Sequence, residues 1–257
     1  MSDESHDSAD FVQSLARGLS VIRTFDADHA SLSLSEVAKR ADIPRAAARR
    51  FLRTLETLGY LRSDGRLFSL TPHVLELGFS YLSALSLPEI VQPHLERLSQ
   101  RVDESVSAAV LDGADIVYVA RVHTRRIMSV RITIGTRFPA YATSMGRVLL
   151  AGMTDAARDA VLAASAETHL TERTLTGADL IAELDRVRAQ GWAMVDGELE
   201  PGLRSIAAPI HGRDGTVVAA LNVSTSTHRV DEKRVLGEYL PALRETATDV
   251  DAELRLV

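Results

Sequence analysis

Residues 33–70 read SLSEVAKRADIPRAAARRFLRTLETLGYLRSDGRLFSL. Ser33 followed by Glu36 fits a capping box: the hydroxyl accepts a backbone N–H of the first turn and the carboxylate returns to the cap's own N–H, so a helix starts there. Leu34, Val37, Ala38 and Ala41 recur at spacings of three and four and give that helix one buried stripe. Asp42 breaks the pattern, and Pro44 suits the first turn of a new helix, so the chain turns at Asp42 and Ile43. In the second helix Ala48, Phe51, Leu52, Leu55 and Leu58 form the inward stripe. Arg45, Arg49 and Arg53 lie about one turn apart on the outer face, with Arg50 beside them. Gly59 ends this helix. Residues 60–62, an Asp64-Gly65 turn and residues 66–70 then read as a hairpin. Two helices, a tight turn and a small hairpin make a winged helix-turn-helix, whose second helix enters the major groove of DNA.

Charge supports that reading over a merely solvated helix face. Residues 11–70 hold ten Lys and Arg against six Asp and Glu, although the whole chain is −6. Acid is concentrated in the first ten residues and beyond residue 70, as expected if only one domain meets phosphates. The basic-edge assignment follows: Arg45, Arg49 and Arg50 toward base edges, Arg53 toward a phosphate, Arg62 or Arg66 reaching the flanking backbone from the wing. Ser33 and Ser35, near the start of the preceding helix, are further phosphate candidates.

At 257 residues the chain has room for two domains with real cores. It has no cysteine, which removes disulfides, thiol nucleophiles and thiolate metal sites. No apolar run is long enough for a membrane helix, and the acidic start MSDESHDSAD is no signal peptide, so a cytoplasmic protein with a disordered tail over 1–10 is expected. The organisation reads as tail 1–10, DNA-binding domain 11–70, linker helix 71–87 and a third part over 88–257. In the linker, Thr71 before Pro72 starts a helix, and Val74, Leu77, Gly78, Tyr81 and Leu85 repeat at helical spacing. That stripe either docks on its own domain or pairs with a second subunit. Pairing is favoured, because it sets two DNA-reading heads at a fixed distance on a palindromic site.

Beyond Pro88 the pattern is mixed. A helix is expected over 89–102, strands over 104–111 and 115–122 around Asp112-Gly113, and a strand over 128–134. Helices follow over 144–152, 155–164 and 177–190, then a short strand over 193–196. Two strands at 205–210 and 216–224 precede a long helix over 232–255. Antiparallel sheet with helices packed on it is an α+β domain, and such a domain suits a small-molecule sensor.

SLARGLSVIRTF (14–25), ARRFLRTLETLGYL, FPAYATSMGRVLLAGM (138–153), GLRSIAAPI and AALNVS, in this order, resemble the IclR family of bacterial transcription regulators over nearly the whole chain. ARRFLRTL, TSMGRVLLA and LNVSTS are most similar to the subgroup that controls aromatic-acid catabolism through the β-ketoadipate route. The resemblance implies a winged helix-turn-helix, a linker helix and a GAF- or PAS-like sensor that works as a dimer or tetramer. It also implies an effector acid held at the helix start formed by Ser144, Met145 and Gly146, facing Ser205, Asn222 and Ser224 on two late strands. Ser205 replaces the cysteine common in the family. Asp196 and Glu198 belong to the bordering loop, where they contact a ligand hydroxyl or hold the loop.

The residues support that site on their own terms. A helix start presents unpaired N–H groups at the positive pole of its dipole, which favours a carboxylate. Asn222 and Ser224 are two apart and share one strand face, where buried polar groups need partners. A nucleophile elbow is not matched, since Ala142 stands where a glycine is needed and His169, His211 and His228 fall in polar loop contexts. No metal spacing or phosphate loop is present, so no cofactor and no enzymatic activity are expected. The reading is a ligand-responsive regulator whose effector is a small hydroxylated aromatic carboxylate such as 4-hydroxybenzoate or protocatechuate. A short aliphatic keto acid is the alternative, and a DNA-binding protein with no ligand a further one, which a closed polar pocket in the second domain would exclude.

Overall fold

The computed structural model describes residues 11–26, 28–77, 87–124, 132–165 and 167–255. The chain divides into two compact units between residues 84 and 85. In the first, α1 (Gln13–Ile22) precedes β1 (Ser31–Ser33), α2 (Leu34–Arg40), α3 (Arg45–Thr57), β2 (Leu61–Ser63) and β3 (Leu67–Leu70). The capping box forms as the spacing requires: Ser33 N–H donates to Glu36 at 2.8 Å and Glu36 N–H to Ser33 Oγ at 3.4 Å. Both helices of the motif end in the same way. Asp42 (φ 51°) and Gly59 (φ 81°) take left-handed backbone just past α2 and α3. The following amides, of Ile43 and Tyr60, reach back to the carbonyls of Ala38 and Leu55.

Val21, Val37, Leu52, Leu55 and Leu61 close this unit's core. Leu58, assigned above to the inward stripe, is 56% exposed. It occupies the C-cap of α3, where the chain is already leaving the helical face. The hairpin gains an unforeseen third strand, since β1 pairs with β3 from Ser31↔Ser69 to Ser33↔Leu67. Three residues leading into a cap carry too little periodicity to be read as a strand. The linker begins with a 3-10 turn, Pro72–Val74, and continues helically through residue 77. Gly78, Tyr81 and Leu85, like the acidic tail, lie outside the described residues.

In the second unit α4 (Leu87–Val102) leads to β4 (Ser105–Asp112), β5 (Asp115–Val122), β6 (Arg137–Pro139), α5 (Ser144–Ala151), α6 (Asp155–Ala164) and α7 (Gly177–Gln190). Then come β7 (Ala193–Asp196), β8 (Leu203–His211), β9 (Val217–Ser226) and α8 (Leu240–Leu254). The six strands form one antiparallel sheet in the order β6-β5-β4-β9-β8-β7. α4 and α8 pack together on one face, α5 and α7 on the other. Covering both faces explains why β4 and β9 are buried almost without alternation.

Two expectations need correction. The strand expected over 128–134 is not seen in its described part, 132–134; the strand forms at Arg137–Pro139 instead, paired to β5. Residues 133–136 form a turn closed by the Thr136 N–H on the Thr133 carbonyl, with Gly135 in left-handed backbone (φ 86°). The long last helix forms over 232–254 but is not regular throughout. A π turn at Val235–Tyr239 precedes α8, because Pro241 has no N–H to donate and its ring crowds the preceding turn.

Candidate functional site

Arg45, Arg49, Arg50 and Arg53 on α3, and Arg62 and Arg66 on the wing, are all exposed, and no acid among the described residues pairs with any of them. The nearby ion pair is made by a different residue, Arg40 to Asp26 at 2.7 Å, which ties α2 to the loop after α1. Asp64 does not neutralise the wing arginines. Its Oδ1 accepts the N–H groups of Arg66 at 2.9 Å and Leu67 at 2.7 Å and shapes the turn. Those hydrogen bonds hold the Asp64 carboxyl below the usual carboxylate range. Ser35 is exposed on the first turn of α2, whereas Ser33 already spends its hydroxyl and amide on the cap.

In the larger unit the start of α5 stands over the sheet. Ser144 Oγ lies 2.8 Å from Ser205 Oγ on β8, and Ser205 is opposite Ser224 on β9. Ser144, Met145, Ser205, Asn222 and Ser224 line one small cavity of about 20 Å³, with Tyr118, Thr143, Ile132, Val195, Leu199 and Leu203 as further walls. Gly146 is not in that wall. Its N–H donates to Thr143 Oγ1 at 3.1 Å, so the helix start leaves the amides of Ser144 and Met145, not three, for a ligand. Gly146 has another role: a Cβ there would sit 2.1 Å from the Ala140 carbonyl, so only glycine lets α5 approach the preceding turn.

Polar groups converge at the cavity from the sheet side. Asn222 Nδ2 donates to Ser224 Oγ at 3.0 Å, while Asn222 Oδ1 is buried with no hydrogen-bond partner among the described residues. Tyr118 lines the cavity as well, and burial pushes its pKa up to about 12, so the phenol stays protonated. The volume suits about one water, against roughly 150 Å³ for a cavity that takes a benzene ring. Ligand entry therefore requires the wall to move outward.

Residues 14–65 match the IclR helix-turn-helix domain, and residues 79–252 match the bacterial transcriptional regulator IclR C-terminal domain. The chain belongs to the IclR family. It is 47% identical over 247 residues to the Pca regulon regulatory protein of Pseudomonas putida, covering 95% of this chain and 85% of that one. It is 36% identical over 255 residues to the p-hydroxybenzoate hydroxylase transcriptional activator of Acinetobacter baylyi, covering 97% of this chain and 94% of that one. An IclR homolog from Microbacterium hydrocarbonoxydans, solved in complex with 4-hydroxybenzoate, superimposes with a TM-score of 0.85 at 28% identity over 95% of this chain and 100% of that one.

The two residues assigned above to the bordering loop hold structure in this IclR-type sensor unit, and Asp196 proves to be the last residue of β7, paired with Arg204, rather than part of the loop. Glu198 is bound by Arg147: Nη1 donates to Oε1 at 2.8 Å and Nη2 to Oε2, while Leu175 N–H adds 3.0 Å. Arg147, 1% exposed, also donates to the Tyr141 carbonyl at 3.0 Å. The pair thus pins the far side of α5 to the loop after β7. Asp196 accepts a hydrogen bond from Arg204 at 2.9 Å and forms an ion pair with Arg173 at 3.3 Å, and it borders a separate cleft of about 550 Å³. Arg147 was missed in the sequence, where one arginine inside SMGRVLLA looks like the solvent face of a short helix. His211 proves to end β8 rather than lie in a loop, with its amide and Nδ1 both on Asp251 at 2.7 and 2.8 Å.

Proposed function

We propose that this IclR-type regulator controls an aromatic-acid catabolic operon and responds to a small hydroxylated aromatic carboxylate, with 4-hydroxybenzoate the leading case and protocatechuate next. The observation that carries the reading is the start of α5 closing over a cavity with polar groups on its opposite wall. The amides of Ser144 and Met145, at the positive end of the helix, receive the carboxylate. Met145, Ile132, Leu199 and Leu203 meet the ring, and Asn222, Ser224 and Ser205 satisfy the hydroxyl. The 4-hydroxybenzoate in the Microbacterium homolog and the regulon assignments of the two bacterial relatives favour the same ligand class over an aliphatic keto acid. A cavity with inward polar groups also speaks against a regulator without a ligand.

Calorimetry tests this directly. The acid binds in the micromolar to millimolar range, and its methyl ester or amide, lacking the charge, binds much more weakly. A neutral ester that binds as well as the acid removes the carboxylate from the α5 start.

The same proposal has Arg45, Arg49 and Arg50 reading a palindromic operator, with Arg53, Arg62, Arg66, Ser33 and Ser35 on phosphates. Two copies are joined through the linker helix as a dimer or, by pairing dimers, a tetramer. Leu77 is 50% exposed, as a seam residue needs to be in a single chain. Leu77→Asp buries an unpaired charge in that seam. Sedimentation then reports smaller particles and operator affinity falls; unchanged mass assigns assembly to the sensor unit alone.

A further inference from the structure

The sheet face below the cavity carries one more charged group than the ligand reading uses. A bulge in the β4–β5 ladder between Ala108 and Ala109 leaves Tyr118 opposite Ala109 and Arg121 opposite Ser107. Three residues apart on a regular strand, Tyr118 and Arg121 would point to opposite faces. The extra residue turns both to the same face. That face is the cavity's, because Tyr118 lines it and Ser107 lies opposite Asn222, which lines it too. Arg121, Ser107 and Asn222 therefore form one row across β5, β4 and β9, with neighbouring Cβ atoms about 5 Å apart.

Arg121 Nη1 donates to Ser107 Oγ at 3.0 Å, yet no carboxylate among the described residues pairs with it. The three arginines buried among the described residues, Arg147, Arg158 and Arg204, each have an acid within 3.1 Å. Arg121 is half-buried, and loss of hydration draws its pKa below the ordinary arginine value. Next in the row stands the orphaned Oδ1 of Asn222, a residue only 3% exposed. A cation with spare donors and a buried acceptor without a donor ask for one group between them. A hydroxyl meets both demands, donating to Asn222 Oδ1 while its oxygen accepts from the guanidinium.

We propose that Arg121 is a specificity-determining residue of the effector site, which with Asn222 selects a hydroxyl at the end of the ligand remote from its carboxylate. The inference rests on the effector reading above. It adds that the cavity widens along this row when the ring enters, bringing the hydroxyl to Arg121.

Calorimetry on the full chain with benzoate and 4-hydroxybenzoate decides it. The wild type prefers 4-hydroxybenzoate by about tenfold or more, as expected for a hydrogen bond to a charged group. Arg121→Gln removes most of that preference and leaves benzoate binding unchanged. The bound phenol supplies a second readout: beside the guanidinium it ionises at lower pH than in Arg121→Gln, seen as the phenolate absorbance. Equal affinity of the wild type for the two acids overturns the proposal without any variant, and leaves the carboxylate reading standing. Equal loss of both ligands in Arg121→Gln also overturns it. If the wild type binds neither acid, the effector reading itself falls.

Discussion

On α3 and the wing, six arginines stand exposed with no acid partner among the described residues; in the sensor unit Arg147, Arg158 and Arg204 are buried and each meets a carboxylate. The side chain is the same and the environment decides its use. In water a guanidinium stays free at little cost and its attraction for phosphate is retained until DNA arrives, when condensed counterions are released. Inside, an unpaired charge loses its hydration, so an arginine persists there only with a carboxylate and further acceptors around it. Arg121 falls between these cases, half-buried and bonded among the described residues to a serine hydroxyl.

The largest effect that tests this contrast lies at Arg147 and Glu198. Removing one partner leaves the other buried and uncompensated, so Arg147→Met or Glu198→Gln costs about 3–5 kcal/mol of sensor-unit stability. Urea unfolding measures it, and the double substitution Arg147→Met with Glu198→Leu recovers much of the loss. A single variant within about 1 kcal/mol of wild type would place this pair with the surface pairs, whose contribution is of that order.

The opposite behaviour is expected on α3. Arg49→Ala and Arg50→Ala leave stability nearly untouched but each weaken binding to the cognate operator by about 1–3 kcal/mol, with a much smaller loss on random DNA. Arg66→Ala weakens both DNAs alike and reduces the salt slope by about one unit. Anisotropy titrations at two salt concentrations separate these outcomes. Equal losses on both DNAs for Arg49 and Arg50 would move them from base reading to phosphate contact.

The two units also differ in how much of them could be read from sequence. In the winged unit local chemistry dictates the structure: Ser33 and Glu36 cap a helix, Pro44 opens the next, Gly59 closes it, and each is a nearest-neighbour rule. The sensor's helices and most of its strands were equally legible from periodicity and turn residues. Ser144, Met145, Ser205, Asn222 and Ser224 do come together at one cavity, a placement expected from the family resemblance and from the helix-start argument. What escaped depends on long-range register. The β4–β5 bulge, which alone puts Arg121 and Tyr118 on one face, leaves no mark in SVSAAVL or DIVYVARV. Likewise Arg147 and Glu198 are 51 residues apart, and only the packing of α5 against the loop after β7 makes them partners. The third strand of the wing and the π turn before Pro241 were missed because three-residue strands and register slips within helices lie below any periodicity signal.

The smallest expected effect separates two roles of Ser33, helix cap and phosphate contact. Its hydroxyl accepts Glu36 N–H, and its amide donates to the Glu36 carboxylate, which these bonds hold below the ordinary glutamate range. A depressed carboxyl contributes stability that is present above its unfolded pKa and lost as pH falls through the lower, folded value. Hydrogen exchange in α2 should therefore accelerate on acidification through that window in the wild type. Ser33→Ala removes the cap at a cost of about 1 kcal/mol and flattens this pH dependence. If Ser33 acts only as a cap, the variant binds operator and random DNA with unchanged affinity; if it also touches a phosphate through a neutral hydroxyl, affinity falls on both alike at every salt concentration, with the salt slope unchanged. A Ser33→Ala protein whose α2 exchange is unaltered at any pH would show that the cap is not what holds the start of α2, and would return Ser33 to the set of residues kept free for DNA.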